Sequence, residues 1–377
     1  MKIREETLTA LKPVGGKEEV AALKEVIESG WWGKGPKVAE FETKFAEMVG
    51  AKYAVALTSA SGAIDLAMKA MGITNCDVIN PTISFIATAV IPLWNNCTSN
   101  IVDVDRRKLT IDPVDVKKSL KKNTKAIIAV NMAGIPADID EIRKFFDGVI
   151  IEDCAHSCYA PGAGTKGDIA VWSFQAVKTL PTGDGGMVTT NDKALAEKIR
   201  DMTWFGVSST WSRVKNGRMG PDGKRIPGYA WDYEVDILGY KYYMIDITAA
   251  IALEQLKKLP KHLSIRRHIQ ERYNIELEGY IEQPEWSYTC QYYIARVPKK
   301  HRDRLIDYLA SKKIHTSVHF KPLHRYKVVK QDRAYPVADD EWLKLITLPC
   351  HPGMTYEDID YVIYWVKKYF DAEAKKS

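Results

Sequence analysis

The chain has 377 residues, too many for one ordinary hydrophobic core at roughly 150 residues per domain, so two domains are expected. Hydrophobic residues make up 46% of it and charged residues 27%, a balance that excludes disordered and fibrous classes. The 54 basic and 48 acidic residues are spread along the chain and carry no zinc-finger or RNA-recognition signature, so a phosphate-bearing metabolite is a better expected partner than nucleic acid.

The opening MKIREETLTALKPVGG has charges with no apolar stretch behind them, which is not the pattern of a signal peptide. Lys17 to Ser29 sets Val20, Leu23, Val26 and Ile27 on one helical face and stops at Gly30, and Pro36 to Val49 repeats the pattern. Between them GWWGKGP places tryptophans on a loop, where binding is commoner than core packing, so Trp32 and Lys34 are candidate substrate contacts. From Tyr53 to Thr190 the short apolar runs YAVAL, DVIN, IVDV, AIIAV, VIIED, IAVWSF and GMVTT alternate with helical or loop segments. That alternation predicts an α/β fold with a mainly parallel sheet covered on both faces, whose ligands gather beyond the carboxyl ends of the strands.

Ile83 to Trp94 is the longest apolar-rich stretch and is too short to span a bilayer, so no membrane association and a cytoplasmic location are expected. A helix-like segment runs on to about Thr203, followed by a long Gly-, Trp-, Arg- and Lys-rich stretch, Trp204 to Gly239; such lengths are functional or disordered. Asp246 to Leu259 reads as an apolar helix ending at Pro260, closing a large domain of residues 1–259. The small α+β domain, residues 260–377, is expected to hold the strand-like WSYTCQYYIARV and IHTSVHF, the helix RDRLIDYLASKK and a last helix from Tyr356 to Phe370, with the N-terminal segment packed on it. Cys76, Cys97, Cys154, Cys158, Cys290 and Cys350 form no CxxC pair, so reduced thiols and no metal site are expected.

Four pieces carry candidate chemistry. In VIIEDCAH, Asp153 ends a buried-looking strand, where a carboxylate can pair with a protonated pyridine nitrogen and make the ring a better electron sink; capping of the next helix is an equal alternative. In SFQAVKTLPTGDGGM, Ser173 and Lys178 follow another strand. A desolvated lysine gives up its proton and forms an imine with an aldehyde, although a lone lysine beside a GDGG turn is more often a surface residue. In LTSASGAIDLAMKAM, Ser59, Ala60 and Ser61 stand between strand and helix, where N–H and hydroxyl groups bind phosphate or simply cap. Phe85 follows DVIN and can lie flat on a cofactor ring, or belong to the core.

Taken in order over nearly the full length, GWWGKGPKVAEFE, TISFIATA, IEDCAHS, SFQAVKTLPTGDGG, GYKYYMIDITAAIALEQLKKL, HFKPLH and LPCHPGMTYEDIDYVI resemble the DegT/StrS family of sugar-nucleotide aminotransferases. The resemblance implies the fold type I architecture of pyridoxal-phosphate enzymes: a large domain with a mainly parallel seven-stranded sheet flanked by helices, and a smaller C-terminal α+β domain. It implies pyridoxal 5'-phosphate (PLP) as cofactor, with pyridoxamine phosphate (PMP) as its intermediate form. Lys178 is then the Schiff-base lysine and Asp153 the partner of the pyridine nitrogen. Ala155 and His156 lie under and beside the ring, Phe85 stacks on the opposite face, and Ala60, Ser61 and Ser173 hold the phosphate. A homodimer with shared active sites is also implied, its GYKYYM loop reaching the neighbouring subunit. Lys241 stands where many relatives have Asn, and is expected to contact the phosphate across that interface. The usual GEGG is GDGG here, Gly183 to Gly186.

The implied reaction moves the amino group of L-glutamate to the 4-keto carbon of a nucleotide-linked 4-keto-6-deoxyhexose, since relatives with a GYKY-type loop mostly aminate that position. A 3-keto sugar is the nearest alternative. A sugar 3-dehydratase is marked by histidine where this chain has Lys178, and intact Asp153, Ser173 and Lys178 argue against a non-catalytic PLP-binding regulatory protein. His319, Lys321 and His324 of HFKPLH, with Arg213, Arg218 and Arg225 of the long stretch, are basic candidates for a diphosphate; each is equally explained as a solvated charge.

Overall fold

The computed structural model describes residues 1–208, 211–212, 217–218 and 235–375. Its central sheet has seven strands, β1 (Tyr53–Leu57), β2 (Asp77–Pro81), β3 (Thr98–Val102), β4 (Thr124–Val130), β5 (Val149–Asp153), β6 (Ile169–Ser173) and β7 (Gly186–Thr190), in the order β1-β7-β6-β5-β4-β2-β3. β7 is antiparallel to both β6 and β1, and the other pairings are parallel. β1 therefore runs the same way as β6, and the carboxyl ends of β1, β2, β5 and β6 meet at one edge of the sheet.

Side-chain alternation splits the strands between two cores. Val55, Leu57, Val171 and Val188 face one, with Ile64 and Leu66 of helix α3 and Ile199 and Met202 of α7; Ala54, Ala56, Trp172 and Met187 face the other, with Phe41 and Phe45 of α2. The helices are α1 (Lys17–Ser29), α2 (Pro36–Val49), α3 (Ala60–Ala70), α4 (Ala87–Trp94), α5 (Pro113–Ser119), α6 (Ile139–Arg143), α7 (Lys193–Met202) and α8 (Asp246–Glu276), followed by α9 (Lys299–Ser311), α10 (Pro336–Trp342) and α11 (Tyr356–Ala374). Among the described residues no helix is long and apolar enough to cross a membrane. All six cysteines are buried and unbridged.

The structure departs from the sequence pattern at four places. First, α1 buries Val26 but leaves Val20 and Ile27 exposed; it docks on α8 through Glu19, whose carboxylate accepts from Gln255 Nε2 and Lys258 Nζ. Second, α8 does not end at Pro260 but runs through it to Glu276. An interior proline costs about 3 kcal/mol, and the helix offsets that by burying Leu259 and Leu263 in the sheet-side core and Ile269 and Tyr273 in the C-terminal one. Third, β3 begins at Thr98 and stops at Val102, because Asp103 turns out of the ladder and its carboxylate accepts from the Val337 and Ala338 N–H groups that open α10.

Fourth, IHTSVHF is not a strand. It makes isolated bridges, Ile314 with Leu8 and Ser317 with Thr347, while the small sheet pairs Tyr293–Arg296 with Leu345–Leu348. The N-terminal Leu8 shares the core of α9 and α11.

Candidate active site

Three strand ends build the centre of the site. At the end of β5, Asp153 is 7% exposed, and one carboxylate oxygen accepts from the Ala155 N–H at 3.0 Å. Burial pushes this carboxyl above its usual range, against the opposing pull of that N–H and of the Lys178 charge. β6 ends in Ser173, and the turn after it carries the half-buried Lys178, whose N–H bonds Gln175 O at 2.8 Å. The carboxyl end of β1 leads into α3, where Ser59 caps the helix by accepting from Gly62 N at 3.1 Å, leaving Ala60 and Ser61 in its first turn.

Gly186 joins the second and third of these ends. In the sheet it pairs with Ser173 on one side and Leu57 on the other, and a side-chain carbon added there would sit 2.3 Å from the Ser59 carbonyl carbon and 2.5 Å from Ala60 N. The glycine thus lets the start of α3 approach the Ser173 hydroxyl. Backbone N–H groups at a helix start, with serine hydroxyls beside them, form a cradle for a phosphate.

A second layer comes from residues 287–292, which precede and enter the small sheet. Thr289 donates to His156 O and Ser287 to Ala133 O, both at 2.7 Å; Gln291 donates to Val177 O at 2.7 Å. These bonds fasten the turns of the large sheet to the small one. Gly134 makes the approach possible, since an added side-chain carbon there would lie 1.9 Å from the Thr289 hydroxyl.

His156 is 3% exposed, and burial, then the Lys178 and His319 charges, hold it well below the usual imidazole range. Its Nδ1 accepts from the Ala133 N–H at 3.3 Å, so the neutral ring carries its proton on Nε2. Tyr292 packs against the His156 edge at 4.9 Å and stacks on His319 at 3.8 Å, with its hydroxyl 3.5 Å from Lys178 Nζ. His319 is held down to about 3 by burial and the Lys178 charge, and its Nδ1 meets the Thr347 hydroxyl at 2.9 Å. Phe320 lies 6.1 Å from His156 and 6.3 Å from Phe85, which is 58% exposed at the rim after β2.

Lys178, Asp153, His156 and His319 are therefore brought together, with Ser173, Ala60 and Ser61 at the glycine-spaced cradle and Phe85 at the edge. The other candidates make contacts of their own. Trp32 is exposed, its indole N–H on Ile27 O, and burial, with the Arg200 charge, lowers the Lys34 ammonium below its ordinary value against the opposing pull of Glu42 and Asp201. Exposed Lys321 sits over the Tyr326 ring, and His324 is tied between the Thr82 hydroxyl and Asp339 while stacking on Tyr335. Lys241 is exposed with Nζ on the Tyr243 hydroxyl at 2.6 Å, in a segment that follows its own β1: Thr58 N bonds Tyr242 O. Arg213 and Arg225 lie outside the described residues, as does the side chain of Arg218.

Sequence reasoning missed Tyr292, Gln291 and Thr289. Their segment read only as a strand, and nothing in its pattern announces which turns it touches. Asp246 was missed as well: it accepts from the N–H groups of Gly35, Lys37 and Val38, fixing the start of α2 on the start of α8.

A mainly parallel sheet with one antiparallel strand, a lysine after β6 beside the aspartate that ends β5, and a helix-start cradle on the β7 side of β6 are those of an aminotransferase of fold type I. The profile of the DegT/DnrJ/EryC1/StrS aminotransferase family matches residues 13–367, and the chain belongs to that family of sugar aminotransferases. The spore coat polysaccharide biosynthesis protein SpsC of Bacillus subtilis (strain 168) is 35% identical over 94% of this chain and 95% of its own length. Among solved structures, the aminotransferase TlmJ of Streptoalloteichus hindustanus is 28% identical with a TM-score of 0.88, covering 97% of this chain and 100% of that one. Spr1654 of Streptococcus pneumoniae, assigned as a sugar aminotransferase and solved in a PMP form, is 25% identical with a TM-score of 0.86, covering 95% and 98%.

Proposed function

We propose that this aminotransferase moves the amino group of L-glutamate to the 4-keto carbon of a nucleotide-linked 4-keto-6-deoxyhexose, with Lys178 as its Schiff-base lysine and PLP as its cofactor. The observation that carries the reading is the convergence of Lys178, Asp153 and His156 on one sheet edge beside the Gly186-spaced cradle. The residues fit PLP. The cradle, with Ala60, Ser61 and Ser173, suits its phosphate, and Asp153 is a buried carboxylate accepting one backbone N–H, with capacity left for a cationic ring nitrogen. Spr1654, solved in PMP and PLP forms, supports the same cofactor.

When bound, PLP supplies the electron sink for charge on the carbon that carries the nitrogen. The protein does the rest. Asp153 keeps the ring nitrogen protonated, because an anion in a dry site favours its charged partner. Ala155 and His156 would hold the ring from one side and Phe85 from the other. With PLP in place, the Lys178 amine would be the group that takes up and returns a proton at Nζ, a general acid–base role that typically contributes about 10²–10⁴-fold.

The family's sugar aminotransferases and the polysaccharide role in SpsC's name favour a sugar acceptor. Trp32, Lys34, His319, Lys321 and Arg213 are proposed to contact it, and the GYKYYM loop favours C4 over C3. The active unit is proposed to be a homodimer in which Lys241 serves the partner's phosphate. Trp31, Trp32, Phe85 and Trp94, exposed by 45% to 58%, are the kind of apolar surface a second copy covers.

The test incubates the holoenzyme with glutamate and a panel of UDP-, dTDP- and GDP-linked 4-keto and 3-keto sugars. One 4-amino sugar should form for each 2-oxoglutarate released, and a folded Lys178→Ala variant should form none. Amination at C3 alone, or turnover by Lys178→Ala, overturns the assignment.

A further inference from the structure

Tyr292 stands outside every motif that marks the site, yet its hydroxyl is, among the described residues, the one group within hydrogen-bond distance of the Lys178 amine, at 3.5 Å. The residue is 3% exposed and immediately precedes the strand Tyr293–Arg296. Its ring is locked from two sides, face to face on His319 with an interplanar angle of 11° and edge to His156. His319 is in turn tied to Thr347. The neighbouring Gln291 reaches the carbonyl of Val177, so residues 291 and 292 clasp residues 177 and 178 in succession.

We propose that Tyr292 is a positioning residue for Lys178. Its hydroxyl holds the free amine during the part of the cycle in which the lysine is not bound to the cofactor, and the inference rests on the role proposed for Lys178 above. The physical need is plain. A released lysine side chain regains its rotamer freedom, and each productive proton transfer must take that freedom away again. A phenol suits the task because it accepts a hydrogen bond from an ammonium and donates one to a neutral amine, so it serves both protonation states that the lysine visits. Hydrogen bonds of this kind are commonly long before the reacting complex forms, which accounts for 3.5 Å. The ring explains the packing by itself; only the hydroxyl meets the amine.

Tyr292→Phe separates the two, since phenylalanine keeps the ring and its stacking. In cofactor-free protein, the rate of acetic anhydride labelling at Lys178 at one fixed pH, read by peptide mass spectrometry against the surface lysines of the same sample, reports how firmly the amine is held. With the hydroxyl gone, whichever protonation state it held, the amine is freed and should label roughly threefold or more faster. In the holoenzyme the half-reaction with glutamate should slow roughly tenfold in kcat with little change in KM. A Lys178 labelling rate equal to that of wild type overturns the proposal, whatever the turnover does. Labelling needs neither cofactor nor sugar, so its outcome is independent of the panel above; a Lys178→Ala variant that still transaminates overturns instead the function on which the proposal rests.

Discussion

Glu152 and Asp153 are neighbours on β5, both buried, at 2% and 7% exposure, and strand alternation sends them to opposite faces of the sheet. On one face the Glu152 carboxylate accepts from the N–H groups of Gly164, Lys166 and Gly167 and from Asn131 Nδ2. Gly167 has no room for a side chain, as an added carbon would lie 2.8 Å from Ile150 O. On the other face Asp153 accepts from Ala155 N–H and looks towards Lys178. Burial alone therefore does not mark a functional carboxylate. Glu152 is saturated by its own chain and closes a loop, whereas Asp153 retains acceptor capacity in a dry site, which suits a cationic ligand.

The sharpest way to break this comparison is to change each acid in turn. Asp153→Asn should keep the fold but lower kcat by roughly 10²–10³-fold, the scale of losing one preorganised electrostatic contact. Steady-state turnover with glutamate as donor measures it. Glu152→Ala should do the opposite, leaving kcat per folded molecule intact while urea denaturation shows a loss of about 3 kcal/mol, because buried donors are left unpaired. If Glu152→Ala is stable but inactive, the division between the two faces is wrong.

Gly186→Ala comes next in size. The added carbon meets backbone, not a flexible side chain, so the start of α3 must move away from Ser173. We expect about 1–3 kcal/mol of destabilisation from overpacking, and PLP affinity, followed by fluorescence titration, should weaken roughly tenfold as the cradle opens. Gly183→Ala is the control. At φ 95° it is strained but meets nothing within 4 Å, so stability should fall by about 1 kcal/mol with PLP affinity unchanged.

The same contrast explains what was legible in the sequence. YAVAL, VIIED and GMVTT coincide with β1, β5 and β7, because strands buried on both faces read as apolar runs bounded by polar turns. The carboxyl ends of VIIED, IAVWSF and YAVAL then locate Asp153, Ser173 and Ser61 without any tertiary knowledge. The other wall of the site was opaque. Tyr292 meets Lys178 across 114 positions, and that contact exists only because the small sheet folds back over the large one. Leu345–Leu348 is too short to rise above its surroundings, and α8 ignores the stop signal of Pro260 because two cores need its flanks. Trp32 was legible as an exposed loop residue, but the place of Lys34 beside Glu42 and Arg200 depends on α7 packing against β1.

The smallest expected effect is on the pH dependence of stability, and variants at His319 and Asp153 separate the contribution of the Asp153 face from that of the other buried histidines, His262 and His351 among them. His319, enclosed by Tyr292, Phe320 and Thr347 and facing Lys178, is depressed from its ordinary 6.5 to about 3, and His156 is depressed too. As pH falls below 6.5 the unfolded chain takes up these protons first, so stability present at neutral pH is progressively lost on acidification. Asp153 has the opposite sign. Its folded carboxyl is raised above 3.8, so it binds a proton before the unfolded one does and offsets part of that loss at the acid end of the range. Melting temperatures of the cofactor-free protein from about pH 7 to about pH 5 should therefore decline, and His319→Asn should flatten the decline. Asp153→Asn should steepen its acid end. A slope unchanged by His319→Asn would mean that the ring is hydrated and does not form the dry wall against which Tyr292 and Lys178 meet.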